Sequence, residues 1–184
     1  VININHMSKT LPQKILHTQL KEAHMYVLQT LDGVTDEVAA FQPEGRANPI
    51  AGTFAHLVFS EDFFIHTLIQ GEVPLFDTTW KDKTGASELQ PTEWESAYPA
   101  WLRTVTVNME AFTTYANAVF AASEAYVEQC SDKELERSVD MSMFGIGERA
   151  VHSILGGMLI GHARDIMGEI SVLKGIQNLK GYPF

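Results

Sequence analysis

The chain has 184 residues, of which 23 are acidic and 13 basic, and its formal net charge is −10. This length predicts one domain with its own core, and the absence of Lys/Arg clusters excludes the phosphate-binding patches that nucleic-acid partners require. No run of 18 apolar residues predicts a membrane span, and a single cysteine, Cys130, excludes an internal disulfide and is typical of a reducing cytoplasm.

Four segments carry the three-to-four-residue apolar spacing of a helix face. The six residues before Met7 are interpreted as a leader added for expression, so one domain is expected over 7–184. The first helix is predicted at about 11–34. The second, at about 50–70, is apolar nearly all round, which predicts the most buried helix of the four.

The third predicted helix begins near Thr92, because Thr92 and Glu95 have the spacing of a capping box, and it continues for about thirty residues. A second capping box at Ser131 predicts a short helix. The fourth long helix covers about 147–174, preceded by a turn at "FGIGE", and its glycines are expected to let a neighbouring helix approach closely: Gly156, Gly157, Gly161 and Gly168.

Strand-like alternation occurs only in "LERSVDMSM", so the pattern predicts an all-α four-helix bundle. The interhelical connections are long, at about 36–48 and 71–90. The second of them contains several aromatic residues. It is interpreted either as a lid over one end of the bundle or as a surface loop with one aromatic anchor.

Two of the seven histidines are expected to face the interior. His56 lies in the most apolar helix, and His162 lies on the apolar stripe of the fourth helix between Met158 and Ile166. Histidines from two bundle helices are how bundle metal sites are built, although a hydrogen-bonded core histidine explains each position as well. His17 and His24 are expected at the surface or boundary and His66 at the periphery, whereas His152 points about 80° away from His162 and cannot easily share a site with it.

Three stretches, "NPIAGTFAHLVFSEDFF", "GHARDIMGEISVLKG" and "GIQNLKGYPF", together resemble the DinB-like superfamily. The resemblance implies a four-helix bundle, often paired as a homodimer, with a divalent-metal site of zinc, nickel or manganese. The family's ligands are a histidine in helix two and a His-x-x-x-His pair in helix four. They fall on His56, on His162 and on position 166, and Gly168-Glu169 matches the step that closes the motif.

Position 166 is isoleucine, which has no lone pair to donate to a metal. Asp165, about 60° round the helix from His162, is the best substitute ligand, whereas Glu169 lies roughly 10 Å further along the axis. A site of His56, His162 and Asp165 is therefore one hypothesis. The other hypothesis is that His56 and His162 lie in the bundle core without a metal.

Two classes of function follow. The first is a metal-dependent transferase or hydrolase, which the resemblance favours, since family members include transferases whose metal activates a low-molecular-weight thiol. The second is a metal-free bundle that binds a small apolar ligand or a protein partner without catalysis. The residues favour the second, because Ile166 suits a dry pocket whose expected lining is Phe59, Phe63, Met158 and Ile166.

Overall fold

A computed structural model describes residues 10–93 and 96–184. In chain order its α-helices are α1 (Leu11–Thr30), α2 (Asp36–Ala40), α3 (Ile50–Asp62), α4 (Tyr98–Thr104), α5 (Met109–Gln129), α6 (Asp132–Leu135), α7 (Val151–Ile154) and α8 (His162–Gly175). Two π-helical segments, Phe63–Gln70 and Leu155–Gly161, continue α3 and join α7 to α8.

Four long helical segments form the bundle: α1, α3 with its continuation, α5, and the run from α7 to α8. α1 packs against α5 and α8, and α3 packs against the same two helices. The apolar stripes meet in one core, in which side chains such as Leu20, Phe54, Phe112 and Ile170 are fully buried. The all-α bundle predicted from the sequence is confirmed.

Side-chain caps fix several of the helix starts. Asn108 accepts a hydrogen bond from the backbone N–H of Ala111 at 2.9 Å and begins α5, while Ser131 accepts one from Glu134 at 3.1 Å and begins α6. The short helix predicted at Ser131 is therefore confirmed. Among the described residues, no helix is both long and apolar enough to cross a membrane.

The single third helix was a wrong prediction. Thr92 is not helical, Glu95 lies outside the described residues, and the segment divides into α4 and α5. The run "TVTV" begins at the last residue of α4 and continues between the two helices, and its β-branched side chains disfavour a helix. There Val107 forms a β-bridge with Ala86 of the long connection.

A short hairpin precedes the last long helix. β1 (Ser138–Asp140) pairs antiparallel with β2 (Glu148–Ala150), so that Val139 faces Arg149. The loop between them has Gly145 and Gly147 at φ of 71° and 64°, a conformation that glycine adopts without strain. The segment predicted to be a turn into the helix is therefore the hairpin loop, and β1 lies in the stretch that showed strand-like alternation.

Close helix approach occurs at a glycine other than those predicted. A Cβ added at Gly52 would lie 1.8 Å from the carbonyl oxygen of Leu102, so α4 can pack on α3 only because this side chain is missing. At Gly156 and Gly157, by contrast, an added Cβ would have no described atom of another segment within 4 Å. These two glycines lie in the π-helical segment and form no tight contact with another helix.

The carboxylate of Asp62 fixes the 71–90 connection to α3. Asp62 is fully buried and accepts hydrogen bonds from the backbone N–H groups of Leu75 and Phe76, each at 3.0 Å, and from the Tyr115 hydroxyl at 2.6 Å. His66 Nδ1 lies 2.7 Å from Asp62 Oδ1. The connection therefore packs on the bundle, with the Phe76 ring 5.7 Å from that of Phe59.

Replacing Asp62 should loosen this connection. We expect Asp62→Asn to lower the free energy of unfolding by about 2–4 kcal/mol, because the amide cannot accept all of these bonds and loses their charge-assisted strength. Urea denaturation would measure the change, and limited proteolysis would show cleavage within 71–90. Asp77→Asn, an exposed change in the same connection, is the control. An Asp62→Asn protein as stable and as resistant as the parent would contradict this role.

Candidate functional site

His56 and His162 lie in contact where α3 packs on α8. Their ring centroids are 4.7 Å apart and the rings meet edge to face at 66°. The ring of Tyr98, from α4, lies 5.3 Å from that of His56. Both histidines are half-buried, so the packing of α3 on α8 brings together the two residues that the sequence placed on inward faces.

Burial favours the uncharged form of both imidazoles. Burial and the neighbouring His162 lower the pKa of His56 to about 4. Burial also lowers the pKa of His162, although Glu61 and Asp165 oppose it. The Nδ1 atom of His56 lies 3.1 Å from Ser60 Oγ and 3.3 Å from Gln90 Oε1, so this nitrogen has hydrogen-bonding partners other than His162.

The donor set around this pair does not fit a divalent metal. Ile166, at the position of the third ligand, is 4% exposed and belongs to the apolar core. Asp165 lies on the exposed side of α8, near enough to His162 to influence its pKa. Within 10–93 and 96–184, no three His, Cys, Asp or Glu side chains are arranged to hold an ion. Two imidazoles alone are fewer than the three protein ligands of catalytic zinc sites.

An apolar cavity of about 100 Å³ lies one helical turn from this pair. One wall is formed by Phe59, Phe63 and Phe64 of α3 and its π-helical continuation. The second wall is formed by Phe76 and residues 90–92 of the long connection, and the third by Met143 and Phe144 of the hairpin loop. Phe64 and Phe144 close the cavity on one side, with ring centroids 5.6 Å apart.

The cavity has one polar end. Ser60 and Gln90 both line it, and Gln90 Nε2 lies 3.4 Å from Ser60 Oγ. Through these two side chains the cavity is connected to His56, whose Nδ1 faces both of them. Two of the four residues expected to line a dry pocket, Phe59 and Phe63, do so; Ile166 is buried elsewhere in the core, and Met158 does not line this cavity.

A buried ionic cluster that the sequence analysis missed joins three helices. His24 of α1, expected at the surface or boundary, is 2% exposed and lies between two carboxylates. Its Nε2 is 2.9 Å from Glu61 Oε1, and its Nδ1 is 2.9 Å from Glu124 Oε1. Its ring also stacks on Phe120 at 4.0 Å. The sequence signal was the position of His24 four residues after Leu20, at the edge of the apolar stripe.

The cluster keeps His24 protonated. Burial disfavours the imidazolium, but the negative charges of Glu61 and Glu124 outweigh it and raise the pKa of His24 to about 9. Glu61 is 1% exposed, and its Oε1 lies 2.9 Å from Nε2 of His24. The charge of His24 is therefore what compensates the burial of Glu61. His66, also expected to be peripheral, is buried against Asp62, which raises the pKa of this histidine.

This cluster predicts a loss of stability at alkaline pH. The folded-state pKa of His24 is about 9 and the unfolded value is near 6.5, so its contribution is complete below about 6.5 and falls as the pH rises through about 9. That contribution is at most about 3 kcal/mol. We expect the difference in unfolding free energy between the parent and His24→Gln to shrink between pH 6.5 and 10. His17→Gln, on the same helix, is the control. A difference that does not depend on pH would refute the ionic role.

Comparisons with known proteins agree with this architecture. A crystal structure of a conserved protein from Enterococcus faecalis is similar, with a TM-score of 0.73 and 19% sequence identity, covering 88% of this chain and 94% of that chain. A likeness at that identity shows the fold alone. No curated protein matches this sequence. The family model of the DinB superfamily matches residues 19–170, which is most of the chain, and this protein therefore belongs to the DinB superfamily.

Proposed function

We propose that this protein binds a small, mainly apolar molecule without the help of a metal ion. The observation that carries the proposal is the phenylalanine-rich cavity between α3, the long connection and the hairpin, with Ser60 and Gln90 together at one polar end. Binding sites for small molecules are typically concave and apolar, with a few placed polar groups that orient the ligand. This cavity has each of those properties.

The walls suit an apolar occupant. Rings from three separate segments line the cavity. One of them, Phe59, also packs against the rings of Phe76, Phe112 and Tyr115. The cavity is therefore lined by side chains that are themselves packed, and a ligand would meet a preformed surface. An occupant gains about 25 cal/mol for each Å² of apolar surface that leaves water.

Metal-dependent transferase or hydrolase chemistry, including the thiol-dependent form, is the alternative that the family resemblance implied. Such chemistry with zinc, nickel or manganese needs a third protein ligand beside His56 and His162, and Ile166 supplies none. Cys130 offers no substitute as a nucleophile, because it is buried and its burial raises the pKa of the thiol. The homodimer implied by the resemblance stays a prediction.

The proposal is tested by titrating the isotope-labelled protein with small apolar compounds and following amide shifts by NMR. We expect shifts at Phe63, Phe64 and Phe144, identical with EDTA and with added zinc, nickel or manganese. Phe64→Trp should weaken binding at least tenfold, because the larger ring fills the cavity. Phe41→Trp, which adds an indole at a position 43% exposed, should leave it unchanged. Binding that appears only with metal, or that survives Phe64→Trp, would reject the proposal.

Adding a donor side chain at position 166 tests whether the lack of a third ligand is what prevents metal binding. Ile166→His would place a second imidazole four residues from His162 on the same face of α8, so we expect this variant to bind zinc or nickel near one equivalent. The parent should bind far less. Val172→His, at a position 65% exposed on the same helix, controls for an added surface histidine. Elemental analysis after dialysis would measure the metal content. Parent protein that already holds one equivalent would contradict a metal-free site.

A further inference from the structure

We propose that the cavity takes an uncharged, hydroxyl-bearing molecule, whose hydroxyl enters first and binds Ser60 and Gln90 while its apolar tail points toward Met143. This inference rests on the proposed function, because it names the chemistry of the ligand that the cavity would hold. Three observations support it: the hydrogen-bonding geometry at the polar end, the absence of charge on the described residues of the walls, and the size of the cavity.

The polar end has hydrogen-bonding capacity to spare. Gln90 Nε2 lies 3.4 Å from Ser60 Oγ, and Gln90 Oε1 lies 3.5 Å from the same hydroxyl and 3.3 Å from His56 Nδ1. Ordinary hydrogen bonds are about 2.7–3.2 Å long for N–H···O and about 2.5–3.0 Å for O–H···O, so these contacts of Gln90 are weak, whereas Ser60 Oγ keeps a contact of 3.1 Å with His56 Nδ1. A ligand hydroxyl, which both donates and accepts, can form shorter bonds to the Ser60 hydroxyl and the Gln90 amide at once.

The walls select against a charged ligand. None of the described residues that line the cavity carries a charge: they are phenylalanine, methionine, proline, threonine, serine and glutamine. An ionised carboxylate or ammonium group would lose its water here without gaining a counter-ion, which costs far more than the burial of a hydrogen-bonded hydroxyl. The polar end is therefore suited to a neutral group.

The size of the cavity limits how much of the ligand is enclosed. An engineered cavity of about 150 Å³ holds benzene, so a cavity of about 100 Å³ holds roughly four heavy atoms. A longer tail would leave the cavity along Met143, which lines it and is 60% exposed. A short primary alcohol fills the enclosed part, and each further methylene would then be only partly covered.

Compounds of matched size distinguish the contribution of the hydroxyl to the affinity from that of the apolar tail. We would titrate the protein with 1-butanol, its isomer methyl propyl ether, butyrate and butylamine, following amide shifts by NMR. We expect 1-butanol to bind about fivefold more tightly than the ether, which cannot donate a hydrogen bond, and at least tenfold more tightly than either ion. From ethanol to 1-propanol the affinity should rise about fourfold, and less for each later methylene.

Variants assign the preference to the polar end. Ser60→Ala should abolish the preference for 1-butanol over the ether while leaving ether binding unchanged, and Gln90→Leu should reduce the same ratio without altering the bundle core. Ser123→Ala is the matched control, since this buried hydroxyl donates to the Val119 carbonyl on α5 and does not line the cavity.

The outcomes distinguish this inference from the proposed function. If none of the compounds binds, the proposed function fails and this inference fails with it. If the ether or butyrate binds as tightly as 1-butanol, the cavity is a binding site but the hydroxyl specificity is wrong. A preference for 1-butanol that both Ser60→Ala and Gln90→Leu retain would likewise overturn the assignment, because the hydroxyl would then bind elsewhere.

Discussion

The buried carboxylate of Asp62 is the interaction on which the arrangement of the site depends. It lies at the end of α3 and accepts two backbone N–H groups of the long connection together with the Tyr115 hydroxyl of α5. Because Phe76 supplies one of these N–H groups, the carboxylate also fixes a wall of the cavity.

The isoleucine at position 166 limits what the neighbouring histidines can do. Without a donor at position 166, His56 and His162 are two rings in edge-to-face contact, and Nδ1 of His56 lies within hydrogen-bonding distance of Ser60 and Gln90. A buried cation lies elsewhere in the bundle, since His24 carries a positive charge between Glu61 and Glu124. His56 thus belongs to the polar end of the cavity as much as to the histidine pair.

The sequence predicted those features that depend on the period of apolar residues. It identified the bundle, the extent of the second helix, and the inward faces that bring His56 to His162. The predictions from the sequence were wrong where local conformational preference or tertiary contacts determine the structure. The "TVTV" run interrupts the third helix, and Gly52, rather than the glycines of the last helix, permits close approach because a carbonyl of α4 happens to pack there.

Side-chain partners from distant segments could not be read from the pattern. A histidine at the edge of a stripe is exposed or buried according to what faces it, and the two glutamates that bury His24 are 37 and 100 residues away in the chain. The cavity is a stronger case of the same limit, because its walls come from three segments and the sequence predicted lining residues on the helices alone. Its polar end combines Ser60 of α3 with Gln90 of the connection, whose path is fixed by Asp62. The specificity of such a site therefore follows from how a connection is anchored, and not from any motif within it.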